Sequence, residues 1–444
     1  MQSPQLERKI NLLQACAINM IDMVGIGPFV VMSIVAQTMN GPWFLYAWIA
    51  GAVLSICDAF IWSELGATYP MAGGSYNFLK ECYGQKAGGI MSFLFVWQTM
   101  IQAPLVIASA AIGFAQYFSY LVPLTDITSR VVSGSVVIAV ITLLYRKVED
   151  AGKISLFLWV GVILTLLWII ISGFANGNMA TPIQHINQGL VLDKSFALAI
   201  GFASVKTVYS YLGYYNVCHL GGEIINPQKN IPKSMLISII GIFLLYMLMN
   251  ISISSVLPLS TIQQSSFVVS EFVAVISGPL AAKLITALVL WVAFASVFSA
   301  TLGYSRIPYA AAQNGAFFSV FGKLHPTKNF PYISLLALGA VAFILSLTVK
   351  MKEAIDAILA MRILVQFVGQ AIGLVLLRKR IGAKRMAWRM PLYPLPVILA
   401  IGIWIFIFFS TGQQMMLSGI KVLSIGVIVF LIKNKWNSKT RHHP

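Results

Sequence analysis

The chain reads as an all-α integral membrane protein with twelve transmembrane helices. Three observations carry that reading. Hydrophobic residues make up 58% of the sequence and charged residues 10%, and the apolar residues are gathered in membrane-length blocks rather than in amphipathic stripes. Twelve such blocks are found at about 20 residues per crossing, near 12–38, 43–64, 88–118, 131–145, 154–174, 195–221, 234–257, 279–303, 331–349, 354–378, 393–411 and 414–432. Finally, two of the blocks are interrupted from within.

The first interruption is Asp22-Met23-Val24-Gly25-Ile26-Gly27-Pro28-Phe29. Two glycines and a proline weaken a helix, and in hydrocarbon each freed N–H must find a partner or cost roughly several kcal/mol. Such a break persists only where it lines a cavity or holds a ligand. The second is Tyr209-Ser210-Tyr211-Leu212-Gly213-Tyr214-Tyr215-Asn216. Paired broken helices in corresponding positions of two halves point to a transporter site at the bilayer midplane.

Ahead of the first block, Met1 to Lys9 is polar, and the apolar run continues past signal-peptide length without a clean cleavage site. The N-terminus therefore reads as mature chain. Basic residues set the orientation. Arg8, Lys9, Arg146, Lys147, Lys153, Lys229, Lys233, the cluster Arg378-Lys379-Arg380 with Lys384, Arg385 and Arg389, and the tail Lys433, Lys435, Lys439 and Arg441 fall on one face, against Arg130, Lys194, Lys350 and Lys352 on the other. Both termini are expected in the cytoplasm of a cell-membrane protein. The same distribution explains the net charge of +17 without a nucleic-acid partner.

With that orientation, residues 1–175 and 190–380 overlay as two five-span units of opposite topology, each opening with its broken helix, and 390–434 supplies two further spans. Between spans, Glu64-Leu65-Gly66 to Gly73-Gly74-Ser75-Tyr76 is a shaped loop followed by a short amphipathic piece to Gly84. Gly222-Glu223 to Pro232-Lys233 carries two prolines expected to fix a sharp turn before span seven. Cys16, Cys57 and Cys218 sit within spans and Cys82 in a loop, so neither a disulfide framework nor metal-ligand spacing is present, and no cofactor is implied. The sequence holds no HExxH, Ser-His-Asp set or phosphate loop, which argues against an enzyme, and no filter ring as a channel needs.

Charged residues within spans are functional candidates by default. Asp22 and Lys206 lie just before the two breaks, each about 16 Å into its span at 1.5 Å per residue. They have several roles open to them: pairing with each other, holding a cationic substrate and a proton respectively, or meeting another partner such as Asp58. Arg362 is a further candidate, expected at the outer vestibule. Glu64, near a membrane end, reads as structural, and His219 as a packed histidine.

The glycine break, the two loops above and Ser305-Arg306 through Gln313-Asn314-Gly315 to His325-Pro326 recur in order over nearly the whole length. In these pieces the chain resembles the amino acid–polyamine–organocation family of permeases. The resemblance implies the leucine-transporter fold: two inverted five-helix repeats plus two helices. It also implies that backbone N–H groups at Gly25, Ile26 and Gly27 take a substrate carboxylate and carbonyls near Tyr209, Ser210 and Leu212 an ammonium group. Tyr209, Tyr211, Tyr214 and Tyr215 then either flank the substrate or pack against neighbouring spans, and Tyr215 is counted with the binding residues, Tyr211 with the gating candidates. Several family members carry a lysine in span five in place of a sodium ion, yet Ile154 to Phe174 contains no charge. That leaves proton symport, exchange and uniport open.

The expected activity is amino acid transport by alternating access, with a small-molecule substrate, protons and membrane lipid as partners. A polyamine or other organic amine is the alternative substrate, because Gly27-Pro28-Phe29 resembles the break of polyamine permeases and Asp22 offers a second ammonium site. A nutrient sensor that binds without transporting is the alternative from another class.

Overall fold

The computed structural model describes residues 6–440, so Met1–Gln5 and Arg441 of the basic tail lie outside it. Among the described residues the chain is helical, with two isolated β-bridges, Ile10 with Ile224 and Ala72 with Leu220. In order the helices are α1 (Leu12–Met23), α2 (Gly27–Met39), α3 (Leu45–Thr68), α4 (Ser75–Leu121), α5 (Asp126–Leu144), α6 (Val148–Asn176), α7 (Ala180–Gln184), α8 (Lys194–Tyr211), α9 (Asn216–His219), α10 (Pro227–Ser254), α11 (Leu259–Gln264), α12 (Val268–Tyr304), α13 (Arg306–Gln313), α14 (Tyr332–Thr348), α15 (Met351–Arg362), α16 (Gln370–Ile381), α17 (Leu395–Ser410) and α18 (Gln413–Thr440). A π-helical stretch, Ile363–Gly369, joins α15 to α16. Among the described residues eight helical segments are long and apolar enough to cross a membrane, with α15 and α16 counted as one across their π-helical link, or nine when α1 and α2, bent by 42°, count as one span; α14 and α17 are apolar but shorter.

Helix limits follow local chemistry. α1 starts at a capping box in which Asn11 and Gln14 each bond the other's backbone N–H. Span four was expected from residue 131, but α5 begins at Asp126, because Thr125 and Thr128 cap it in the same way. The turn expected across both prolines before span seven is confined to Asn226, whose φ is 47°. Pro227 then opens α10, where its missing N–H costs nothing, and Pro232 lies inside the helix. Cys82, expected in a loop, is buried on the first arm of α4. α4 turns an elbow at Gly84 (φ 65°, ψ −164°), a left-handed conformation that suits glycine.

The core runs through the packing of α3 on α10, α12 on α4 and α6, and α2 on α8. At the end of the bundle that holds the start of the chain, the buried Arg306 and the half-buried Arg378 close on buried carboxylates. Arg306 bonds Glu223 through Nε (2.8 Å) and Nη2 (3.1 Å). Arg378 bonds Glu64 in the same forked way at 2.6 and 2.5 Å, and the Met390 N–H adds a third bond to that carboxylate. Arg8 donates to the carbonyls of Ile224 (3.0 Å), Pro70 and Gly221 nearby. Glu64, expected near a membrane end, lies in the ion pair with Arg378 and not in the cavity wall.

Candidate functional site

The two breaks lie against each other. α1 stops at Met23 and α2 starts at Gly27, while α8 stops at Tyr211 and the backbone turns through extended Leu212 and Gly213, whose φ is 124°. A Cβ on Gly213 would stand 2.7 Å from the Met23 nitrogen and 2.8 Å from the Asp22 carbonyl carbon, so only glycine permits this approach. Gly25 faces Ser296 of α12, with 2.7 Å from a Cβ to Oγ, and Gly27 faces Ser210 and Tyr209 at 3.3 Å.

Side chains from neighbouring helices satisfy much of the broken backbone. The Tyr246 hydroxyl of α10 sits between the carbonyls of Met23 (2.8 Å) and Ser210 (3.1 Å), tying the two breaks together. Asn19 accepts from the Val217 N–H at 2.9 Å, Asn216 donates to the Ser299 carbonyl at 2.9 Å, and Ser299 donates to the Ile18 carbonyl at 2.7 Å. The N–H groups of Gly25 and Ile26 donate to no acceptor among the described residues, and the first turn of α2 has its own unpaired amides.

Between the breaks is a cavity of about 40 Å³. Its wall includes Asp22, Gly25, Ile26, Gly27, Tyr209, Ser210, Leu212 and Tyr215 from the two broken segments, every one a residue singled out in the sequence. α12 adds Ser296, Ala300 and Tyr304, α4 adds Val106 and Ala110, and α15 adds Arg362. The Asp22 carboxylate makes no hydrogen bond or ion pair among the described residues and faces the cavity. Arg362 does not lie at an outer vestibule. It is 1% exposed and held by its fork, donating through Nη2 to the hydroxyls of Tyr215 and Tyr304 (2.7 Å to Tyr304) and through Nε to Gln366 at 3.0 Å. Free amide N–H groups, an unpaired carboxylate and a fixed guanidinium thus meet in one small chamber, which suits a ligand carrying both charges.

Other candidates lie elsewhere. Lys206 pairs with Asp356 of α15, and so with neither Asp22 nor Asp58. Asp58 accepts from the Tyr214 hydroxyl in the core. Tyr211 is buried between Trp48 and Tyr246, outside the cavity wall. His219 is packed among the rings of Trp62, Tyr215 and Tyr304. Sequence reading missed Tyr304 and Asp356. The signal available for Tyr304 was the run Ser296, Ala300, Tyr304 at every fourth position of one helix, which places small and polar groups on a single face.

The sequence model of the family described as "Amino acid permease" matches residues 10–432. The chain belongs to the amino acid permease family. It is a multi-pass membrane amino acid transporter. This permease is 25% identical to the serine/threonine exchanger SteT of Bacillus subtilis over 414 residues, 91% of each chain. It is 22% identical to the methylthioribose transporter of the same organism, covering 98% of this permease and 95% of that protein. It is 24% identical to the human cystine/glutamate transporter, covering 98% and 87%.

Proposed function

We infer that the permease is a secondary active transporter of small zwitterionic amino acids, working by alternating access across the cell membrane with both termini in the cytoplasm. Counting the short helices α14 and α17 and the broken helix α8–α9 as crossings gives twelve. On that count residues 1–175 and 190–380 form the inverted repeats of the leucine-transporter fold, and 390–434 the two additional helices. The carrying observation is that both broken segments wall one cavity in which, among the described residues, the Gly25 and Ile26 amides have no acceptor and Asp22 has no ion-pair or hydrogen-bond partner.

In this reading the substrate carboxylate sits on the Gly25–Gly27 amides, where the start of α2 adds the positive end of its dipole. The ammonium group meets Asp22 and the carbonyls near Tyr209, Ser210 and Leu212. Arg362 and its tyrosines bound the space left for the side chain, and the small cavity favours short side chains. Movement is by exchange or proton symport.

Purified permease in proteoliposomes tests this. Uptake of labelled amino acids into vesicles preloaded with unlabelled amino acid reads exchange, and uptake driven by an imposed pH gradient reads symport. Absence of flux with every amino acid, despite binding, replaces the transporter by a sensor. An organic amine is the second reading, favoured by the unpaired Asp22 carboxylate. Thermal stabilisation by putrescine or spermidine, and by no amino acid, would establish it.

A further inference from the structure

We propose that the elbow of α4 forms a binding site for the phosphate headgroup of an anionic phospholipid in the leaflet on the side of the chain termini. The site is separate from the cavity between the breaks. Gly84 bends α4 so that Tyr76 and Lys80 on one arm face Gly89, Ile90 and Phe93 on the other, and the loop Asn314-Gly315-Ala316 with Phe430 and Lys433 of α18 completes a pocket of about 370 Å³. That volume is within the roughly 300–1,000 Å³ of small-ligand sites.

The charge is one-sided, since Lys80 and Lys433 line the pocket and, among the described residues, no acidic side chain does. Both ammonium groups are held in place. Lys80 donates to the Asn314 side-chain oxygen at 3.0 Å, and that amide is oriented by its own bond to the Ala310 carbonyl at 2.9 Å. Lys433 donates to the Ala316 carbonyl at 2.6 Å and stands 5.6 Å from the centre of the Phe93 ring. The two anchors are two residues apart in one loop, so both cations converge on the same space. Each ammonium has three N–H groups and spends one on its anchor, which leaves donors for phosphate oxygens.

The surroundings select a lipid over a dissolved phosphate. Only 11% of the apolar stretch of α18 is buried in the protein, so this helix stands in the acyl chains. Lys433 closes that stretch, one turn after Phe430, at the depth where headgroups lie. Phe93, Phe430 and Ile90 form the apolar wall for the glycerol end of the chains. Basic pockets between helices on the cytoplasmic side are a recurring way to hold anionic headgroups. That this leaflet is the cytoplasmic one rests on the orientation proposed above; the binding does not.

Full-length permease in neutral detergent is titrated with short-chain phosphatidylglycerol, phosphatidylcholine or glycerol 3-phosphate, and its melting temperature is followed. Phosphatidylglycerol is expected to stabilise it, phosphatidylcholine and glycerol 3-phosphate to do so at least tenfold less effectively, and Lys80→Gln/Lys433→Gln to weaken the phosphatidylglycerol response at least tenfold. Lys80→Arg/Lys433→Arg should retain it. An equal response to phosphatidylcholine in the unaltered protein overturns the proposal without need of any variant. An equal response to glycerol 3-phosphate overturns the lipid assignment, and an unchanged response in the glutamine variant overturns the site. Amino acid stabilisation, measured on the same samples, reports the central cavity separately.

Discussion

Lys206 of α8 is paired with Asp356 of α15, and both lie on the same side of the central cavity, opposite to Arg378 along the α15–α16 line. Their side chains are 9% and 19% exposed, so each charge depends largely on the other. Lys206→Met and Asp356→Asn should each lower the melting temperature, because each leaves one charge without its partner. The double variant should recover part of the loss, with a coupling of about 1–3 kcal/mol. Additive losses in a denaturation cycle would show the pair to be energetically idle.

Gly213→Ala should reduce substrate affinity at least tenfold, since the new Cβ must displace backbone at Asp22 and Met23. Gly27→Val should do likewise against Ser210 and Tyr209. Gly402→Ala, where nothing lies within 4 Å, serves as the control and should bind as the unaltered protein does. Binding titrations on folded, purified protein decide, and full affinity in Gly213→Ala would separate the breaks from the site.

Arg362→Lys keeps the charge but cannot reproduce a fork that reaches Tyr215, Tyr304 and Gln366 together. Uptake should fall at least tenfold. Tyr304→Phe removes one acceptor of a charged donor, worth about 1.5–3 kcal/mol, and should impair uptake while Tyr209→Phe, which breaks a neutral bond to Ser109 (2.9 Å), does less harm. Initial rates in proteoliposomes measure both.

Asp22→Asn should abolish binding of amines that lack a carboxylate and weaken that of zwitterions less, because the Gly25 and Ile26 amides remain. Equal loss for the two ligand classes would mean that Asp22 shapes the cavity without meeting the ligand. Isothermal titration with an amino acid and its decarboxylated amine makes the comparison.

Lys384→Cys, exposed after α16, should react with membrane-impermeant maleimide only from the cytoplasmic side. Background is low, since Cys16, Cys57, Cys82 and Cys218 are all buried. Labelling of intact cells would invert the orientation.

What sequence revealed and what it hid follow from the range of the interactions involved. The breaks at Gly25-Ile26-Gly27-Pro28 and at Gly213 are local, written in residues that cannot continue a helix, and the cavity wall residues on those segments were legible for that reason. Tyr304 and Asp356 were not, because each acquires its role from a helix far away in the chain, and no periodicity gives the rotation of one span against another. Arg362 was recognised as unusual yet placed too far out, since depth counted along one helix ignores the cross-bundle contacts to Tyr215 and Tyr304 that hold it. Pro227 misled in the opposite way: proline marks a turn or a helix start with equal local logic, and Asn226 decided between them.

The arginine forks at one end of the bundle have a consequence for the order of movements. Glu223–Arg306 and Glu64–Arg378 are each two-pronged, and Arg8 adds three carbonyl bonds, whereas the ion pair on the far side of the cavity, Lys206–Asp356, is single-pronged. Parting a fork strips two hydrogen bonds from a fully buried carboxylate at once; parting the latch strips one from a carboxylate that is 19% exposed. The two ends of the chamber are therefore unequally bolted. On the alternating access proposed above, the side latched by Lys206 is expected to part first, and the forked side only when a bound ligand makes staying shut the costlier state.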